Sequence, residues 1–542
     1  MNFTFDYKIE KEVLENYLSR AVTAANLFAT ATLEDDLRVI QKLGIKFLGR
    51  ASGIWYMVQD DDEHFAQSKY LADRVHEQDP EIILQACIFE MITQNIETVR
   101  IPDQVQAAFG FEPTDRCFRL EDTLFGEEPA DFSNLREEKS KRGGIPDLSR
   151  TETQMWFYYR ATRYIDCGFE ALHMGQLHLY TANDRGMKKT AELFAKIRAY
   201  AAMHARRHLV LMDAHSHGVV IGGKSLLDYN AMPFTSKPIM EAEGKKLALV
   251  REGYSEGGEN PSGWCAETMP YLMEYDNWGG KMVDDINACP REKLARIDWW
   301  GYDQIGWFAN QSKADREHFL EYTYNWVEIN NPNAYFEVPF RRMLSDAAVP
   351  VKRADNQKED LQRDYQLNNP SADCPMGFGE EDMVAALWKR GHKLRKLAAN
   401  PQHLIRYGAC QEVEPETGMK LPELIVAYGG FQPYVGAAYN DSNSSITRLY
   451  YIGDQTYSLS VVIPFAGTYD FSISTYGTLS AVYNRDRFAR SGSGPKARFT
   501  TEKDNSVVRF SYRFLDNLVK VEVIRWEDDV QDYVIREQKL KD

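Results

Sequence analysis

From about residue 44 to about residue 390, short apolar runs alternate with stretches of helical spacing, and this alternation limits the fold more than any other feature. The apolar runs fall at 45–51, 82–89, 169–174, 209–213, 246–251, 271–275, 334–338 and 364–367. Helical spacing marks 64–78 and 186–204. Ile82-Ile83-Leu84-Gln85-Ala86-Cys87-Ile88-Phe89 is almost wholly apolar, as a strand must be when both faces of its sheet are covered. Eight or so such units in about 350 residues fit a (β/α)8 barrel with long loops better than an open doubly wound sheet. After about residue 398 the helical period stops. Runs that alternate with period two follow, such as Tyr457-Ser458-Leu459-Ser460-Val461-Val462, separated by turn signals such as Asn440-Asp441 and Leu515-Asp516-Asn517. That pattern predicts an antiparallel β-sandwich. The expected division is therefore a barrel over 1–398, with a loop insertion near 110–150, and an accessory sandwich over 399–542.

A chain of 542 residues exceeds what one hydrophobic core usually covers, in agreement with two domains. Its net charge of −16 repels phosphate backbones and anionic lipid, so no nucleic acid and no membrane is expected as a partner. No run approaches the roughly 20 apolar residues of a membrane span. The seven scattered cysteines lack zinc-ligand spacing, and the N-terminus has no signal-peptide pattern; both predict reduced thiols in a cytoplasmic protein. The absence of G-x-G-x-x-G and of a P-loop removes the usual nucleotide signatures, and no cofactor is expected. No G-x-S-x-G elbow is present, which argues against a serine esterase.

In a (β/α)8 barrel, chemistry is built where the strands end. On the strand reading above, Glu90 ends the second strand, His173 and Gln176 the third, and Asp213-Ala214-His215-Ser216-His217 the fourth. Glu252 ends the fifth strand, Glu274 and Asp276 the sixth, and Glu337 lies in the seventh. Period-two alternation places Asp213 with His215 on one face, and Glu274 with Asp276 on one face. A single buried carboxylate reads as a core ion pair; five strand ends of this kind read as a polar functional cleft, because unpaired buried charge is costly. Five of the ten tryptophans (264, 278, 299, 300 and 307) lie between residues 264 and 307, and Trp55-Tyr56 ends the first strand. Flat aromatic faces beside carboxylates suit sugar rings. Trp264 and Trp278, in loops rich in Gly, Pro and Asn, are assigned to ligand contact; Trp307 and Trp326, on helical stretches, are assigned to packing.

Hydrolysis of a glycosidic bond needs one carboxyl group as acid and a second as nucleophile or base. Asp213 with Glu274 or Asp276 supplies such a set, with Glu337 in reserve, and the placement on the fourth and sixth strands is similar to that of barrel glycosidases of the α-galactosidase type. Glu90, His173, Gln176, His215, His217, Glu252, Asn277, Trp278, Trp300 and Asp303 would line the saccharide site. The large retaining β-glycosidase clan carries Asn-Glu on its fourth strand, and this chain has no such pair. The runs at 15–23, 168–176 and 300–308 (the last Trp300-Gly301-Tyr302-Asp303-Gln304-Ile305-Gly306-Trp307-Phe308) resemble a group of uncharacterised bacterial glycoside-hydrolase-like (β/α)8 barrel proteins. That resemblance implies the barrel and a saccharide substrate and transfers no catalytic role. Two alternatives stand beside it. Asp213, His215 and His217 resemble the D-x-H-x-H strand end of the metal-dependent amidohydrolases, which implies a metal-dependent hydrolase. The other alternative is a non-catalytic carbohydrate-binding barrel. The sandwich is expected to pack on the barrel or to mediate a homo-oligomer.

Overall fold

In a computed structural model of the chain, the residues described are 1–53, 60–89, 91–126, 143–233, 237–242, 245–249, 255–276, 304–344, 349–352, 359–362, 364–401, 422, 424–475, 478–483 and 496–540. Eight parallel strands follow one another in space in chain order: β1 (Ala21–Ala24), β2 (Phe47–Ser52), β3 (Ile83–Cys87), β4 (Ala171–His173), β5 (Leu211–Asp213), β6 (Asn230–Pro233), β7 (Tyr271–Glu274) and β8 (Ala334–Met343). β8 pairs with β1. Between β5 and β6 the ring closes through a parallel bridge from His215 to Ala231, with Ser216 N donating to Ala231 O at 3.0 Å. The expected (β/α)8 barrel is present.

Four strand assignments change within it. β1 has only four residues and β6 only four, Asn230-Ala231-Met232-Pro233, too few for a period to register. The expected fifth strand instead forms an antiparallel hairpin, Lys245–Leu249 on Lys237–Ala242, outside the barrel. The expected eighth, β9 (Asp364–Gln366), pairs antiparallel on the far end of β8. Every strand from 45–51 to 209–213 thus moves up one place, so Asp213 ends β5, Glu274 ends β7 and Glu337 lies on β8. The placement on strands four and six that resembled the α-galactosidase type therefore does not hold.

The helices lie where amphipathic spacing places them. α1 (Lys11–Leu18) precedes β1, α2 (Leu33–Leu43) follows it, and α3 (Asp61–Gln78), α4 (Thr151–Asp166) and α5 (Lys188–His204) follow β2, β3 and β4. α6 (Lys313–Asn330) leads into β8, and α7 (Glu381–Arg390) follows β9. The Asp60 side chain accepts from the backbone N–H groups of Asp62 and Glu63, satisfying two orphan donors at the start of α3.

The barrel interior changes character along its axis. At the N-terminal ends of the strands Ala21, Phe47, Ile83, Ala171, Leu211, Leu272 and Tyr335 form one apolar cluster with Phe5, Ile9 and Leu14, so the N-terminal segment and α1 plug that end. Trp264 joins the same end, its Nε1 donating to Ile9 O at 2.9 Å; the ligand contact expected of it is replaced by packing at the pole opposite the strand termini. Trp307 packs edge-on against Phe319 and Trp326 packs against the main core, as expected.

The C-terminal part is an antiparallel β-sandwich of β10 (Ile425–Gly429), β11 (Arg448–Gly453), β12 (Thr456–Ile463), β13 (Gly467–Thr475), β14 (Thr478–Tyr483), β15 (Ala497–Thr501), β16 (Ser506–Arg513), β17 (Leu518–Glu527) and β18 (Asp532–Glu537). β11 links the halves: Arg448 and Leu449 pair with β10, and Tyr450 to Gly453 pair with β12. Phe471 and Phe499 of one half meet Phe510 of the other in the sandwich core. Period two sends Leu459, Val461 and Ile463 into that core and Val462 outward, where it joins Val507, Ile524 and Tyr533 in the barrel's own cluster. His318 on α6, within hydrogen-bond distance of Pro464 O at 2.6 Å, helps fasten this face. Among the described residues no helix is long and apolar enough to cross a membrane.

Candidate active site

Above the apolar layer, the inward positions turn polar. Gln85 on β3, His173 on β4, Asp213 on β5, Glu274 on β7 and Glu337 on β8 are all buried, and the register sets His173 beside Asp213 and Glu274 beside Glu337. His215 and Asp276, two residues beyond Asp213 and Glu274, lie on the same strand faces one step closer to the rim.

Asp213 is held at both carboxylate oxygens. Oδ1 accepts from Gln85 Nε2 at 2.6 Å, and Oδ2 lies 2.9 Å from His173 Nδ1. The Gln85 amide is itself fully engaged, with Nε2 also 2.8 Å from Tyr229 Oη and Oε1 accepting from Arg50 N at 2.9 Å. Burial, followed by the charges of Asp213 and Glu337, raises the Tyr229 phenol far above its usual range, so it stays a neutral donor.

Glu274 and Asp276 meet two guanidinium groups. Arg342 on β8 donates Nη1 to Glu274 Oε2 at 2.8 Å and pairs through Nη2 with Asp276. Arg50 on β2 pairs with Glu274 and lies 3.7 Å from Asp276. His215 Nε2 lies 3.0 Å from Glu274 Oε1, and its ring meets that of His173 edge-on at 4.6 Å between centroids. Burial, then the nearby His173 and the two arginines, drive the His215 pKa well below its usual value, so this imidazole is neutral. Glu337 is different: burial raises its pKa, Arg50 opposes that, and the negative charge of Asp213 adds to the rise. Its carboxyl occupies space that only glycine leaves open, since a Cβ at Gly49 would overlap Glu337 Oε1.

The geometry gathers His173, Asp213, His215, Glu274, Asp276 and Glu337 of the expected set. It does not gather His217, whose ring stacks on Tyr271 with Nδ1 3.3 Å from the phenol; Gln176 is half-buried just ahead of the short helix Leu177–Tyr180. Glu90, Glu252, Asn277, Trp278, Trp300 and Asp303 lie outside the described residues, as does Trp55-Tyr56. The metal trio expected from D-x-H-x-H does not form, because Asp213 is engaged by Gln85 and His173 while His217 turns to Tyr271. Among the described residues, His215 instead meets two other groups of metal-ligand type: atoms of His215, Glu274 and Asp276 lie within 4.8 Å of one another. Arg50 and Arg342 already balance both of those carboxylates, so we read the trio as part of an ion-pair cluster.

Sequence reasoning missed Arg50, Gln85 and Arg342. Strict alternation from Gly49 would point Arg50 outward, towards the helices. The register between β2 and β3 breaks between Leu48 and Ser52, and Arg50 takes a left-handed backbone (φ 54°), which turns it into the cluster. A lone arginine after glycine inside an apolar run was the available signal, as was Gln85 inside Ile83–Cys87.

No protein-family model and no curated protein matches the chain. Solved structures with some likeness include the wild-type GH27 β-L-arabinopyranosidase Abp from Geobacillus stearothermophilus, at 9% identity over 85% of this chain and 88% of that one, with a TM-score of 0.31. A variant of the same enzyme in complex with arabinose gives 10% identity, 84% of each chain and a TM-score of 0.30. The glycoside hydrolase domain of PelA from Pseudomonas aeruginosa gives 12% identity over 47% of this chain and 93% of that one, with a TM-score of 0.20. At such scores these likenesses carry no functional weight, and the site's own chemistry has to supply it.

Proposed function

We propose that this protein is a glycoside-hydrolase-like enzyme that cleaves a glycosidic bond of a saccharide with carboxyl groups at the C-terminal rim of the barrel. One observation carries the reading: within a single buried cluster, Glu337 is pushed towards its neutral form while Glu274 and Asp276 are held by guanidinium groups and Asp213 by hydrogen bonds. Neighbouring carboxyl groups with opposed environments are what acid and base roles require. Glu337 is the acid, donating its proton to the departing glycosidic oxygen, and a neighbouring proton acceptor in the cluster completes the pair. The arginines and His215 supply donors and acceptors for sugar hydroxyls. The residues outside the described set, Glu90, Glu252, Asn277, Trp278, Trp300 and Asp303, complete the lining in this reading.

The test is a panel of chromogenic glycosides with the purified protein, with and without chelator. Hydrolysis of at least one glycoside is expected, unaffected by chelator. Glu337→Gln should lose about 10²- to 10⁴-fold in kcat and lose the alkaline limb of the pH profile. Loss of activity with chelator would favour the metal-dependent hydrolase. Saccharide binding without turnover, unchanged in Glu337→Gln and Asp213→Asn, would favour a binding protein.

A further inference from the structure

Asp213 is held at both of its carboxylate oxygens. Gln85 holds one oxygen at 2.6 Å and His173 the other at 2.9 Å, and Gln85 is itself pinned by the Arg50 backbone and Tyr229. A carboxylate so tied has little freedom to approach a sugar ring. Its contact with His173 has a definite chemical sense, however. An ionised carboxylate only accepts, so His173 Nδ1 must carry the hydrogen, and in the neutral ring Nε2 is then a bare lone pair. Among the described residues no side chain or backbone group forms a hydrogen bond with that Nε2. His173 ends β4 at the rim, edge-on to His215 and close enough to Glu337 that a charge gained by its ring acts on that carboxyl.

We propose that Asp213 is a positioning residue and that His173 is the base of this site, taking a proton at Nε2 from the attacking water. The proposal rests on the glycosidase reading above and assigns the second half of its acid–base pair. In the step, a water O–H bond breaks and its proton goes to His173 Nε2, while the water oxygen's electron pair forms the bond to the anomeric carbon. The glycosidic C–O bond breaks, and its electron pair leaves on the oxygen that takes the Glu337 proton. The imidazolium is stabilised by Asp213, and proton return from His173 to Glu337 through solvent resets the site. Glu274 and Asp276, matched by Arg50 and Arg342, take no part in proton transfer.

Two measurements test this, one of them independent of turnover. ¹⁵N NMR of the histidine side chains at neutral pH should show His173 as the Nδ1–H tautomer in the wild type and a changed tautomer balance in Asp213→Asn. An Nε2–H tautomer in the wild type overturns the proposal whether or not any glycoside is cleaved. With a glycoside that the wild type hydrolyses, His173→Ala should lose about 10²- to 10⁴-fold in kcat, and added imidazole should restore part of it. His173→Gln serves if the alanine variant does not fold. Asp213→Asn should lower kcat with little change in KM. Rescue of Asp213→Ala by azide or formate, together with no imidazole rescue of His173→Ala, would make Asp213 the reacting group and overturn the proposal. If the wild type cleaves no glycoside, the glycosidase reading fails, and the tautomer alone decides whether the Asp213–His173 pair exists.

Discussion

Two of the charge clusters among the described residues differ in balance. One lies outside the barrel, where α2 meets β9 and α7. The buried carboxylates Asp35, Asp36 and Glu381 face Arg38, Lys42 and Arg341 there, the more exposed Asp382 and Asp364 also pair with Lys42 and Arg341, and Asn368 donates to Asp35 and Asp36 at 2.8 and 2.9 Å. The other is the rim cluster, where, among the described residues, four carboxyl groups, Asp213, Glu274, Asp276 and Glu337, face two guanidinium groups, Arg50 and Arg342. A matched cluster fastens two segments and asks for nothing more. An excess of buried acid costs folding free energy unless a proton or a ligand settles it. The surplus therefore marks the reactive region more sharply than burial does, since the leading carboxylates of both clusters are buried.

The largest effect should come from removing a cation on the surplus side. Arg342→Met removes one of the two guanidinium groups that pair with Glu274 and Asp276, in a site where the Arg342 side chain is 4% exposed, and should cost about 3–5 kcal/mol in denaturant unfolding. Arg38→Met removes a side chain that is 45% exposed, and Lys42 remains on Glu381; about 1 kcal/mol or less is expected. Equal losses would erase the distinction between the clusters.

A smaller effect tests how tightly the surplus acid is seated. Gly49→Ala puts a methyl group where Glu337 Oε1 lies and 3.2 Å from Val22 O, and should cost about 1–3 kcal/mol. Combining it with Glu337→Ala should recover most of that loss, because the two positions share one space. An additive double variant would place the Glu337 carboxyl elsewhere.

How much of this was readable from the chain depends on length and on local backbone. The barrel and the sandwich could be read because runs such as 82–89 and 457–462 are long enough to show continuity or period two. β1 and β6, at four residues each, are not, and Lys245–Leu249 has strand character that a local hairpin satisfies. Strand-end logic found His173, Asp213, His215, Glu274, Asp276 and Glu337, because alternation carries each of them inward. It failed at Arg50, where a left-handed residue reverses alternation, and at His217, whose partner Tyr271 sits on a strand two places away in the ring. The balance of charge was not legible at all, since it depends on arginines from β2 and β8 meeting acids from β7.

The smallest expected effect separates one acid of each cluster, Glu381 and Glu337, by sign. In the outer cluster, burial at Glu381 favours the neutral acid, but hydrogen bonds from Arg38 and Lys42 and from the Asn369 backbone outweigh it and hold the carboxyl down at about 2. The folded state then binds fewer protons than the unfolded chain below the ordinary value of 4.5, so the stability from Glu381 is complete above 4.5 and is lost as pH falls towards 2. At Glu337 burial and Asp213 prevail over Arg50, and the folded pKa is raised. Its contribution is complete below 4.5 and is lost as pH rises through the folded value, because the unfolded chain releases a proton that the folded state retains. Unfolding free energies of wild type, Glu337→Gln and Glu381→Gln across this range should therefore diverge in opposite directions. Glu337→Gln should gain on the wild type as pH climbs above 4.5, and Glu381→Gln should fall behind it as pH climbs from 2 to 4.5. A Glu337→Gln difference that stays flat with pH would mean that Arg50 neutralises Glu337 after all, and the rim would then hold no more unmatched acid than the outer cluster does.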